Sequence, residues 1–133
     1  QVLGAPWLDA AKVIERLRTY PIAIDGIAIE PTTFTPSAPT DGKYAGIPLH
    51  GLRMRVTNRD RYDPTKLAAA ILAAVRAAHP DSFRFNSRGF DRLATSAELR
   101  TAIEGGVPAD TIWKAWEADL ARFRAARARY LIY

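Results

Sequence analysis

Between Leu67 and Ala78 the chain carries a single charged residue, Arg76. Asp63 stands where an N-cap belongs and Pro64 at the first helical position, and the stretch runs to about His79 before Pro80. The pattern predicts a helix over 64–79. A helix that is apolar on nearly every side must be covered on more than one of them. In a single small domain that is demanding. The expectation is therefore that this helix lies at a domain boundary, between its own sheet and a second domain.

The chain has 133 residues, enough for one domain with a core of its own. Hydrophobic residues make up 48% and charged residues 25%, a balance that argues against disorder. There is no cysteine, which excludes disulfides, thiolate metal sites and a cysteine nucleophile together. No apolar run is long enough for a membrane span. The chain opens at Gln1 without an initiator Met and reads like the interior of a longer protein. Its compartment is left open, periplasmic or secreted if the longer protein carries a signal peptide. The net charge of +5 raises the question of nucleic acid. The arginines fall mostly at helix ends and beside acids, without interleaved exposed aromatics for a stacking platform, so no nucleic-acid partner is expected.

The coarse reading is an α+β domain, a small sheet of two to four strands packed with about four helices. Asp9 caps a first helix over 10–19, with Val13, Ile14 and Leu17 on one face. A strand follows at about 27–34. Prolines Pro31, Pro36, Pro39 and Pro48 bracket a polar loop. Residues 49–57 alternate, with His50, Leu52, Met54 and Val56 expected to face in. Phe83-Arg84-Phe85 reads as a short edge strand and Asn86-Ser87-Arg88-Gly89 as a turn. Thr95 and Glu98 read as a capping box for a short helix ending at Gly105-Gly106. A last helix covers about 109–129, with an apolar stripe through Ile112, Trp116, Leu120 and Phe123. The tail Tyr130-Leu131-Ile132-Tyr133 is expected to pack.

No motif names a reaction. Gly42-Lys43 lacks the spacing and the Ser or Thr of a phosphate loop. His50 and His79 lie far apart in the sequence, so no metal site is expected; His50 reads as a core or interface residue and His79 as a helix C-terminal residue favoured by the dipole. A glycosidase needs two placed carboxylates. Asp9, Asp63 and Asp110 fall at caps, Glu98 in a capping box, and Glu117 and Asp119 near arginines. Asp41 and Asp91 alone stand in loops without an evident structural task.

An ordered series of short pieces is more informative. It comprises Gly4-Ala5-Pro6-Trp7 with Asp9; Phe34-Thr35-Pro36; Lys43-Tyr44-Ala45-Gly46 followed by Gly51; Val56-Thr57-Asn58; Phe90-Asp91-Arg92-Leu93; Ile103-Glu104-Gly105-Gly106; Trp116; and Phe123 with Arg127 and the terminal Tyr130-Leu131-Ile132-Tyr133. In this order, over nearly the whole chain, they resemble the C-terminal part of the bacterial exo-β-N-acetylmuramidase family, long catalogued as a domain of unknown function. One departure is Leu49, where the family pattern has a cysteine.

The resemblance implies a two-domain parent. A Rossmann-like N-terminal domain, absent from these residues, would supply the catalytic acid, and the present domain would close one wall of the substrate cleft. The reaction would remove terminal N-acetylmuramic acid from the non-reducing end of peptidoglycan fragments, with no cofactor. The chain itself would carry no catalytic residue. Its partners would be the missing domain and a peptidoglycan-derived sugar, with Lys43, Tyr44, Gly46 and Asp91 as candidate sugar contacts. The competing reading is a stand-alone carbohydrate- or protein-interaction module.

Overall fold

A computed structural model describes residues 1–131. Three strands, β1 (Val2–Ala5), β2 (Ile27–Phe34) and β3 (Leu49–Val56), form an antiparallel sheet in the order β1-β3-β2. Five helices complete the described fold: α1 (Ala10–Leu17), α2 (Pro64–Ala78), α3 (Ser87–Ala94), α4 (Glu98–Glu104) and α5 (Ala109–Ala128). The α+β expectation holds, with one helix more than anticipated.

The sheet register explains which strand residues enter the core. Leu3 stands opposite Leu52, and Ile29 opposite Met54, so these side chains share one face. Leu52 is fully buried, and Leu3, Ile27, Ile29 and Met54 pack around it. The face expected for β3 is correct. Its two end residues, His50 and Val56, are nevertheless exposed, because the helices cover only the middle of the sheet. The opposite face carries Gly4, Gly51, Thr32, Glu30 and Arg53, an arrangement an antiparallel sheet tolerates in water.

Helix α1 lies against β2, β3 and α2 and is started as expected, with the Asp9 carboxylate accepting the Lys12 amide at 3.1 Å. Helix α2 is the centre of the molecule. Asp63 accepts from the amides of Thr65 and Lys66, and α1, α4 and α5 all pack on the helix. Leu67, Ala69, Ala70, Ile71, Ala74 and Val75 are buried. What α2 leaves exposed is Pro64, Thr65, Ala68 and Ala77, small or polar side chains. Much of the cover that α2 needs thus comes from within the chain, where its alanines let three helices approach closely.

Other expectations need correction. Phe83 and Phe85 form no strand. The sheet's edges are β1 and β2, and the two rings instead pack edge-on at 4.8 Å, with Phe85 against Phe90 at 4.7 Å. Residues 86–89 open α3: the Asn86 side chain accepts the Gly89 amide at 3.2 Å. Thr95 does not cap α4. It takes a left-handed conformation, φ 63°, as the C-cap of α3, and Ser96 Oγ accepts from Glu98 N instead. Of the tail, Tyr130 and Leu131 are exposed, contrary to expectation, while Ile132 and Tyr133 lie outside the described residues.

Candidate substrate-facing end of the sheet

The β2–β3 connection leaves the sheet at the Phe34–Leu49 pair. Leu49 is buried, so this position asks for an apolar side chain and accepts leucine in place of a cysteine. From here the chain folds back on itself. Gly46 N donates to the Pro36 carbonyl at 2.8 Å, Gly42 N to Pro39 at 3.0 Å and Ile47 N to Tyr44 at 3.1 Å. Asp41 Oδ1 accepts from Lys43 N at 3.1 Å, which gives Asp41 a turn-forming task that the sequence did not reveal. Residues 40–48 are all exposed.

Three residues of this loop have positive φ: Gly42 at 69°, Tyr44 at 58° and Gly46 at 73°. For the glycines this is unstrained; for a bulky tyrosine it is an outlier of the kind found where a side chain must be aimed. The space beside Gly42 and Gly46 is open, with nothing within 4 Å of where a Cβ would stand. Lys43 is thus exposed on a self-bonded turn, and Tyr44 beside it is 36% exposed.

Beside the loop's root lies a cleft of about 640 Å³, with Trp7, Asp9, Thr32, Thr33 and His50 among its lining residues. Thr33 and His50 are register partners next to the Phe34–Leu49 pair. The cleft therefore opens at the end of the sheet from which the loop springs. Trp7 is fixed by His79, whose ring lies 5.3 Å away. His79 Nε2 accepts the Asp9 amide at 3.1 Å. His79, the C-cap of α2, thus ties the start of α1 to the end of α2. An indole wall, a threonine and an imidazole are groups that suit a sugar ring. No local pattern marks Trp7 or His50 as a cleft residue, since only the fold brings the two together.

Asp91 is elsewhere. It lies in α3, which packs on α4, and both its oxygens are held by Arg100, at 2.8 and 2.9 Å. Arg100 also donates to Glu104 at 2.8 Å. The guanidinium holds the Asp91 carboxyl below its ordinary range, and the carboxylates hold Arg100 more firmly protonated. Asp91, read from sequence as a loop residue free to bind, instead clamps α3 to α4 through a bidentate pair.

This clamp carries a pH prediction. Because the folded carboxyl is more acidic than its ordinary value of 3.8, its contribution to stability is complete above that value. It is lost as pH falls through the lowered folded value. Asp91→Asn should therefore destabilise the protein at neutral pH, and the gap to the parent should close as acid protonates Asp91. Urea midpoints at pH 7 and pH 2.5 check this, and a gap that stays constant would refute the assignment.

Among the described residues no polar or charged side chain is buried, and no group of three or more His, Asp or Glu side chains comes together to hold a metal. Asp9, on the cleft, has its acidity raised by the Lys12 amide and ammonium. A glycosidase acid needs the opposite shift. No described helix is long and apolar enough to cross a membrane.

Comparison with known proteins decides the relationship. The family model described as exo-beta-N-acetylmuramidase NamZ, C-terminal, matches residues 1–133. The chain belongs to this family. It is 31% identical over 134 residues to the peptidoglycan beta-N-acetylmuramidase NamZ of Bacillus subtilis (strain 168), an alignment that covers all of this chain and 31% of that protein. Its fold is similar to the crystal structure of a DUF1343 family protein from Bacteroides fragilis NCTC 9343, with a TM-score of 0.81, 19% identity, and coverage of all of this chain and 35% of that one. The chain thus spans about a third of the length of each of these two proteins.

Proposed function

We propose that the chain is the non-catalytic C-terminal domain of a peptidoglycan glycosidase that releases terminal N-acetylmuramic acid, and that its exposed sheet end forms one wall of the substrate cleft. The observation that carries the reading is the family match over the whole chain. The geometry supports it. The Trp7–His50 cleft and the 40–46 loop stand at one end of the sheet, and Asp9 and Asp91 are bonded in ways that keep them ionised rather than ready to donate a proton. The catalytic acid then comes from the preceding, Rossmann-like domain.

Lys43, Tyr44 and Gly46 are the sugar-facing residues of this wall. The ammonium of Lys43 pairs with the lactyl carboxylate of muramic acid, the Tyr44 ring lies against the pyranose, and Gly46 leaves room for the ligand. Asp91 is set aside, because its carboxylate is committed to Arg100.

The test belongs in the full-length protein. A charge-assisted hydrogen bond contributes about 1.5–3 kcal/mol, so Lys43→Ala should lower kcat/KM for a muramic acid glycoside by about 10–100-fold. Tyr44→Ala should lower it by a smaller factor. Lys43→Ala should melt as the parent does, since Lys43 is exposed, and Tyr44→Ala should melt close to it. Parent-like kinetics for both variants would remove the loop from the site, and a large loss of stability in Tyr44→Ala would return its ring to a packing role.

A further inference from the structure

We propose that the projecting half of α5 is a docking surface for the polypeptide that precedes this domain in the full-length protein, a partner presenting an apolar ridge flanked by carboxylates. The inference rests on the reading of the chain as the C-terminal domain of a longer protein.

Helix α5 has 20 residues, about 30 Å of helix. The fold uses only its first half: Ala109, Ile112 and Trp113 are buried and Trp116 is half-buried. Tyr20 anchors this end, its hydroxyl accepting the Ala109 amide at 3.3 Å and its ring meeting Trp113 edge-on. From Glu117 onward every described residue is exposed. The apolar stripe nevertheless continues. Leu120 and Phe123 follow Trp116 at spacings of four and three, so they stand on the same side of the helix. Leu120 is 45% exposed and Phe123 61%.

Isolated exposed apolar residues need no explanation, but these run into a groove. About 800 Å³ in volume, it is lined by Trp116 and Leu120 along α5, where Lys66 and Arg124 stand among Asp63, Glu98 and Glu117. A stripe continuous with an aromatic-floored groove is a contact surface. Its composition, Trp116, Phe123 and arginines, is that of residues which anchor interfaces.

Charge and chain length identify the occupant. Arg124 and Arg127 follow Leu120 and Phe123 at a spacing of four, so they stand on the stripe's side of the projecting end, while Arg122 is paired with Asp119. A partner lying along the stripe meets these cations and complements them with carboxylates. The related proteins are about three times as long as this chain. Their remaining length is covalently tethered, which gives it an effective concentration in about the millimolar range. A free second copy has no such advantage.

Hydrogen exchange measured on the full-length protein and on the 133-residue chain tests the proposal. Amides of residues 117–128 should exchange about tenfold or more slowly in the full-length protein, while those of α2 serve as the internal reference. Leu120→Glu combined with Phe123→Glu in the full-length protein should restore fast exchange, and should leave the isolated chain's melting temperature unchanged. Equal exchange in the two proteins would overturn the proposal. So would slow exchange in the isolated chain that depends on its concentration, since that assigns the stripe to a second copy. The readout needs no turnover: a full-length protein without muramidase activity would refute the functional reading and leave the docking result standing.

Discussion

Leu17→Ala is expected to destabilise the domain by about 2–5 kcal/mol, the range for truncating a buried leucine. Leu17 closes α1 and is only 1% exposed. It belongs to the cluster that joins Leu52 of β3 to Ala70 and Ala74 of α2. The cluster also holds Ala5, Ala23, Ala70, Ala74 and Ala109, whose side chains have no rotamers with which to fill a void. The site therefore collapses poorly, and the cost should fall in the upper half of that range. Urea unfolding checks the prediction: the midpoint should drop while the m-value stays constant. A loss under 1 kcal/mol would mean that α1 does not seal the core as described.

The second large effect is expected at Gly51. This residue is buried on β3 and pairs with Gly4 on β1. A Cβ built on Gly51 would overlap the Leu3 carbonyl oxygen and lie 3.0 Å from Gly4 Cα. Both are backbone atoms, which cannot turn aside as a long side chain can. A Cβ on Gly4 would in turn stand 2.6 Å from the His50 carbonyl and 2.9 Å from the Phe34 ring. The two glycines therefore permit the close passage of β1 over β3. Gly51→Ala should force β1 outward and cost about 1–3 kcal/mol or more. Amides of residues 2–5 should lose exchange protection before the rest of the sheet. Stability within about 0.5 kcal/mol of the parent would show that β1 moves freely and that the glycines have another purpose.

Gly51 also shows where sequence reading reaches its limit. Strands β2 and β3 were legible because alternation is local, and α1 and α2 because Asp9 and Asp63 announce their starts. Strand β1 was not. Val2–Ala5 is too short to alternate convincingly, and its pairing with residues about fifty positions away leaves no trace in its own composition. Thr95 misled for a different reason. Thr95 and Glu98 have the spacing of a capping box, but α3 ends where the cap should stand, and the αL turn at Thr95 serves the helix before it rather than the one after.

Helix α2 was read correctly as needing cover on several sides, and much of that cover comes from within the chain. The sequence shows how much apolar surface a helix has, not which neighbours reach it. In the fold, α1, α4 and α5 cover α2, and the uncovered surface moves to the far half of α5. The candidate site divided in the same way. Lys43, Tyr44 and Gly46 share one loop, as adjacency in sequence ensures. Asp91 left the set because Arg100, nine positions away, faces it only once α3 and α4 have packed. Trp7 and His50 entered the cleft because β1 and β3 pair, which no local pattern announces.

The most direct test of the domain's assignment is an activity measurement on two proteins side by side. A chromogenic N-acetylmuramic acid β-glycoside should be hydrolysed by the full-length protein, while the 133-residue chain should stay at the level of a buffer blank. Turnover by the isolated chain well above that blank would contradict the account and place a catalytic acid within these residues.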